Sequence, residues 1–256
     1  LYPHSHGITA NIHELACSVH ELSDRPSLLS RQMQAAGYKL GYTGKWHLGT
    51  DQDEAFGGHN QPSLPSDLGF VGQDFPGHGE GGYDTPQFRQ YLTDHGLPSG
   101  IHAWSHDTRP VRRAGELVGE IEASVAHFLA DHTIHLIDEF ADGEEPFFIW
   151  HNFWGPHEPY YAPRQFLDWY HDLDIPPWPN YDWPSREIAG PHHVKIHPQH
   201  EQLTWRDWQM QLRYYYATTS LIDYEVGRIV DHLRQTQRLD NTIIIFAGDH
   251  GETLGS

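Results

Sequence analysis

Gly41-Tyr42-Thr43-Gly44-Lys45-Trp46-His47-Leu48-Gly49 places a lysine and a histidine two residues apart in a glycine-flanked turn, directly after a short segment, Tyr38 to Thr43, that reads as a strand. On an extended backbone, side chains at i and i+2 face the same way, so Lys45 and His47 are aimed at one ligand. Lys45 carries a fixed positive charge, and His47 gains or loses a proton near neutral pH, a pairing that suits an anionic substrate. An isolated Lys-x-His is usually a solvated surface pair, so the weight of this one depends on its surroundings. Upstream, Arg25 to Gly37 reads as a helix with Leu29, Met33 and Ala36 on one face and Gly37 suited to its C-terminal cap. That helix delivers the chain into the strand before Lys45.

Two further segments end in the same manner. Pro146 to Phe153 is nearly continuous in apolar and aromatic residues, which predicts a strand buried on both faces of a parallel sheet, and it runs into Trp154-Gly155-Pro156-His157-Glu158-Pro159. Thr242 to Ala247 has the clearest strand pattern, and Gly248-Asp249-His250-Gly251-Glu252 follows it. Between them lie helical periodicities. Ala126, Ala130, Thr133, Ile137 and Phe140 mark one over roughly Glu120 to Phe140, and Trp208, Leu212, Tyr215, Thr219, Ile222, Val226, Ile229 and Leu233 mark a longer one that begins near Thr204. The pattern predicts an α/β fold, a mostly parallel central sheet flanked by helices, as one domain over residues 1–256. In such a sheet ligands bind outside the carboxyl ends of the strands, so Lys45 and His47, His157, and Asp249 and His250 are expected to converge.

Each cluster has a chemical and a structural use. Asp249 and His250 offer a carboxylate oxygen and an imidazole nitrogen to a divalent cation, or Asp249 caps the following turn. His157, held between Pro156 and Pro159, has a restricted backbone and is either a general acid or a structural loop histidine. His4 and His6 have metal-like spacing that a histidine-anchored turn explains as well. Residues 50–109 and 171–203 lack periodicity and are expected to be irregular excursions over the surface near the site, burying little. The second contains Trp178, Trp183, His192, His193 and Lys195, whose indoles serve either stacking on a ring-shaped ligand or packing against prolines.

Composition narrows the function classes. The formal charge of −19 argues against a nucleic-acid partner, and no apolar run is long enough to span a membrane. An acidic chain that binds an anion must gather its cations locally, and Lys45 is one of only three lysines, with Lys39 and Lys195. Cys17 is the single cysteine, which leaves no internal disulfide. The 22 histidines are dispersed rather than in metal-sequestering tracts.

Ala36-Gly37-Tyr38 and the nine residues from Gly41 resemble the second signature of the sulfatases, a family of the alkaline-phosphatase-like superfamily. Leu1-Tyr2-Pro3-His4-Ser5-His6-Gly7 resembles the turn after the family's nucleophile, and Pro156-His157-Glu158-Pro159 its substrate-binding histidine segment. Asp249-His250-Gly251 is similar to the Asp-His-Gly or Asp-Asn-Gly whose first two residues bind calcium. The resemblance implies hydrolysis of a small-molecule or carbohydrate sulfate ester by a hydrated formylglycine. Lys45 and a divalent metal, Ca²⁺ or alternatively Mg²⁺, would stabilise the sulfuryl oxygens. His157 would protonate the leaving alcohol, and His47 would act on the formylglycine hydroxyls. The family's Cys/Ser-x-Pro-x-Arg is absent: Cys17-Ser18-Val19-His20 lacks its proline and arginine, and Ser27 after Pro26 fails likewise. Paired N-terminal aspartates and a second lysine are missing too. The chain is therefore expected to be an internal piece of a longer protein, inactive alone. A phosphonate or phosphate ester hydrolase of the same superfamily and a noncatalytic anion-binding pseudoenzyme are the competing expectations.

Overall fold

The structure, a computed structural model, describes residues 24–46, 48, 64–74, 79–103, 114–181, 203–252 and 254. His4, His6, Cys17, His47, Trp183, His192, His193 and Lys195 lie outside the described residues. In chain order these form α1 (Leu29–Ala35), β1 (Lys39–Gly44), β2 (Val71–Gly72), α2 (Pro86–Asp94), β3 (Ile101–Ala103), β4 (Ala114–Leu117), α3 (Val125–Ala141), β5 (Phe147–Asn152), β6 (Tyr160–Ala162), α4 (Arg164–Tyr170) and α5 (Trp205–Gln235).

The strand before Lys45 is the middle of a parallel sheet ordered β2–β1–β5. β1 and β5 pair along their full length, from Lys39 opposite Phe147 to Gly44 opposite Asn152. α1 feeds β1 through a glycine turn. Gly37 has φ +87, its N–H donates to the Gln34 carbonyl, and the Tyr38 N–H reaches back to Met33, the two bonds of a Schellman cap. Leu29 is exposed although the spacing put it on the packed face, while Met33 and Tyr38 pack against the cluster of Leu40, Tyr42, Trp46 and Phe70. The other face of the sheet is covered by α3. A side chain at Gly41 would lie 3.0 Å from Ile149 and Phe140 and 3.2 Å from Leu136, so this glycine lets helix and strand approach.

α3 starts at Val125 rather than near Glu120, because the buried Ser124 caps it by accepting the His127 N–H at 3.1 Å. Residues Ile121–Ala123 form a 3₁₀ turn before it. α5 runs its expected length, but its buried stripe is rotated by about one position. Gln211, Thr218 and Glu225 are buried with Leu212, Leu221 and Ile222, whereas Thr219 is exposed. Glu225 has no exposed surface and is balanced by Arg228 at 2.6 Å and His127 at 3.0 Å, as a buried carboxylate requires. β3–β4–β6 form a second sheet, with β4 antiparallel to β3 and parallel to β6.

Three expectations need correction. β5 is half-buried instead of enclosed on both faces, and Trp150 is 42% exposed, because among the described residues only β1 pairs with it. Thr242 to Ala247 forms no strand, and Ile243 and Ile245 are 90% and 85% exposed. Apolar β-branched residues make a strand only with a ladder to join, and the described residues offer this segment none. Lastly, 50–109 is not uniformly irregular. Thr85 and Pro86 start α2, which buries Phe88 and Leu92 beside Phe128 and Leu129, and Leu68 and Phe70 join the β1 core.

Candidate active site

Lys45 follows β1 by one residue, at the carboxyl end of the parallel sheet. Gly44 makes the turn with φ +100, in a place where an added side chain would meet the Asn152 carbonyl oxygen at 1.7 Å. Its N–H donates to Gln73 Oε1 at 2.7 Å, so the residue just after β2 holds the end of β1. The backbone of Lys45 is satisfied on both sides: its N–H donates to the Asn152 carbonyl at 3.0 Å, and its carbonyl accepts from the Tyr42 hydroxyl and from Asn152 Nδ2 at 3.1 Å. Burial pulls the Lys45 ammonium below the ordinary lysine range, while the carboxylates of Asp249 and Glu252 push it back up.

The loop after residue 247 thus lies within electrostatic reach of the end of β1. Glu252 is the acidic residue that sequence reasoning passed over, although it stands three positions after Asp249 in the same string. Asp249 and His250 are exposed. Asp249 Oδ1 accepts the His250 N–H at 2.9 Å, and His250 Nδ1 lies 3.0 Å from the Gly251 carbonyl. Since a carbonyl only accepts, Nδ1 carries the proton and Nε2 is left for a ligand. Nε2 stands 3.4 Å from Asp249 Oδ2, close to the ~3.3–3.7 Å between adjacent ligands of a cation bound at 2.3–2.6 Å. The pair thus fits two positions of a divalent site, although no group of three or more metal-ligating side chains gathers among the described residues.

His157 is presented separately. Its Nδ1 donates to the Glu158 carbonyl at 2.8 Å, which leaves Nε2 as the ring nitrogen outside that bond. The ring lines a cavity of about 20 Å³, room for one water, whose other walls include Tyr83, Leu129, Trp154 and Ile222. No hydrogen bond or ion pair among the described residues joins His157 to Lys45, Asp249 or His250. The indole of Trp178 is committed to packing: Nε1 donates to the Leu254 carbonyl at 3.1 Å and the ring sits edge-on to Trp205.

The family model described as Sulfatase matches residues 1–256. The chain belongs to the sulfatase family. It is 28% identical over 237 residues to a choline-sulfatase of Rhizobium meliloti, covering 88% of this chain and 42% of that protein. It is 25% identical over 240 residues to an uncharacterised sulfatase of Escherichia coli, with 90% and 42% coverage. Among solved structures it resembles the phosphonate monoester hydrolase of Agrobacterium radiobacter, with a TM-score of 0.65, 20% identity, and 92% and 49% coverage. A putative sulfatase from Bacteroides fragilis gives a TM-score of 0.56, 21% identity, and 100% and 50% coverage. The fold is thus alkaline-phosphatase-like, and the chain spans about half or less of the length of these relatives. None of its described helices is long and apolar enough to cross a membrane.

Proposed function

We propose that this chain is the part of a sulfuric ester hydrolase that holds the sulfuryl group, and that the longer protein cleaves a sulfate monoester of a small alcohol or a carbohydrate. The observation that carries the reading is Lys45, half-buried at the carboxyl end of the sheet in the sulfatase signature, with Asp249 and Glu252 acting on its charge. Two carboxylates against one ammonium leave this spot net negative, which repels an anion; a divalent cation reverses the sign. Asp249 and His250 are the donors assigned to that cation, with Ca²⁺ favoured over Mg²⁺ by the resemblance of Asp249-His250-Gly251 to the family's calcium-binding string. When bound, the metal supplies positive charge toward the sulfuryl oxygens.

The chain's own residues then have distinct tasks. Lys45 neutralises charge on the sulfuryl oxygens as it grows, from a partly desolvated position where that interaction is stronger than in water. His157 delivers a proton from Nε2 to the leaving alcohol, its Nδ1–H being fixed on Glu158. His47 is assigned to the hydroxyls of a formylglycine nucleophile contributed by residues other than these 256, so the chain alone is expected to be inactive.

The test uses the longer protein on aryl and carbohydrate sulfates. Lys45→Ala is expected to lower kcat about 10²–10³-fold. Turnover of phosphonate monoesters without sulfate esters would replace the reading by the phosphoryl one, and undiminished sulfate turnover by Lys45→Ala would remove the lysine from it.

A further inference from the structure

The bonds around the Lys45 carbonyl form a closed set. The Tyr42 hydroxyl donates to that carbonyl and accepts from Asn152 Nδ2 at 2.8 Å, while Asn152 Nδ2 also reaches the same carbonyl at 3.1 Å. The orientation of the Asn152 amide is fixed independently, because the indole N–H of Trp150, which can only donate, lies 2.9 Å from Oδ1. Three polar atoms of Asn152 are thus used: the backbone oxygen on the Lys45 N–H, Oδ1 on Trp150, and Nδ2 on both the Tyr42 hydroxyl and the Lys45 carbonyl. Tyr42 is buried, its ring edge-on to Trp46 and Phe70 at 5.2 and 5.6 Å, and burial pushes its hydroxyl well above the usual tyrosine range. It stays a neutral donor at any working pH.

A strand end needs one ladder bond to its neighbour. Here two side chains from paired strands are spent on the carbonyl of the residue that leaves the sheet, whose amine is the only lysine at the site among the described residues. We infer that Tyr42 and Asn152, oriented by Trp150, are positioning residues that lock the Lys45 backbone so that its ammonium is held in a partly desolvated place beside the anion. The inference rests on the functional reading for the word anion, and on geometry alone for the lock. Freed from its carbonyl bonds, the first turn of the loop relaxes and the Lys45 amine moves out toward water. Desolvation then weakens, and the amine titrates closer to an ordinary lysine.

With three lysines in the chain, the amines can be followed individually. Pulse acetylation of the intact 256-residue protein across a pH series, read by peptide mass spectrometry, gives a midpoint for each lysine. The midpoint reports the protonation equilibrium, whereas access changes only the plateau. Tyr42→Phe, which keeps the ring, and Asn152→Leu, which keeps the volume, are expected to shift the Lys45 midpoint upward toward the ordinary lysine range. A merely structural role would lower the unfolding midpoint and leave the Lys45 titration of the folded protein where it was; that result overturns the inference. Should either variant fail to fold by circular dichroism, Trp150→Phe decides. It alters an exposed edge and is expected to give a smaller shift of the same sign, and an unmoved Lys45 midpoint there overturns the proposal. A longer protein that hydrolyses no sulfate ester would sink the functional reading and leave these midpoints as they are.

Discussion

Lys45 and Asp249 act on one another electrostatically, yet the backbones that present them are held in different ways. Lys45 leaves a paired strand, and the residues before it are buried on both faces, by α3 on one side and by Tyr42, Trp46 and Phe70 on the other. Asp249 follows a segment of four large apolar residues that are exposed and unpaired, and its own bonds run to its immediate neighbours. Ties are seen at the two ends of that segment. Arg238 reaches the Ala141 carbonyl at 3.2 Å before it, and the Leu254 carbonyl accepts from Trp178 after it. The end of β1 that presents Lys45 is thus specified by tertiary packing, and the loop that presents Asp249 by local turns plus charge.

A pair of glycine substitutions is the severest way to break this contrast. Gly44→Ala puts a Cβ against the Asn152 carbonyl oxygen in a left-handed conformation, so β1 and β5 must separate; a loss of about 4 kcal/mol or more is expected in urea unfolding. At Gly251 a Cβ meets nothing within 4 Å, and Gly251→Ala is expected to change stability by less than about 0.5 kcal/mol. Equal effects would mean that the loop is as constrained as the strand. The next contrast is between apolar side chains. Leu136 fills the space above Gly41 and Gly72, so Leu136→Ala is expected to cost about 2–5 kcal/mol, whereas Ile245→Ala removes a side chain already in water and stays within about 0.5 kcal/mol.

Acid sharpens the comparison further. His151, opposite Thr43 in the register, bonds Thr133 through Nδ1 at 2.7 Å, and its Nε2 is out of solvent without a hydrogen-bond partner among the described residues, although part of the residue remains accessible. Burial pulls its pKa from 6.5 to about 3. The folded protein therefore keeps the ring neutral while the unfolded chain protonates it below pH 6.5. Between those values the unfolded state binds more protons, so stability falls as pH falls, by about 1.4 kcal/mol per unit. His151→Asn is expected to remove about 2 kcal/mol of the loss measured between pH 7 and pH 5. Identical slopes for the two proteins would show that the ring is not held neutral.

The same contrast explains which parts were legible in the sequence. β1, β5, α3 and α5 announce themselves through local pattern, and each was found within a few residues, since their periodicity reports the face each buries. Thr242 to Ala247 has the strongest strand pattern and forms none, because pattern reports the capacity to pair and is silent on whether a neighbour exists. The sheet β3–β4–β6 is invisible for the complementary reason: strands of three and four residues acquire their identity from partners some 45 residues away or from a hairpin-like return. α2 escaped because Phe88 and Leu92 alone mark its face, although Thr85-Pro86 is a readable start. At the candidate site, Lys45 is singled out by the signature it stands in. Glu252, Tyr42 and Asn152 are not, since a residue that acts on Lys45 through space or through its carbonyl leaves no spacing rule along the chain.

The smallest expected effect probes how the exposed half speaks to the buried one. If the coupling is charge alone, Glu252→Gln and Asp249→Asn each remove a carboxylate that raises the Lys45 pKa, so the amine should titrate lower still in both variants. Asp249 stands in water, and an interaction of that kind is screened within about 10 Å at 0.1 M salt; the shift should therefore shrink as sodium chloride is raised toward 1 M. Calcium added to the unaltered protein should act in the same direction as the substitutions, because a cation on Asp249 cancels the same carboxylate, and Asp249→Asn should blunt that response. A Lys45 midpoint that moves with calcium in high salt, or moves upward, would mean that the loop couples to the lysine by rearranging rather than by its field.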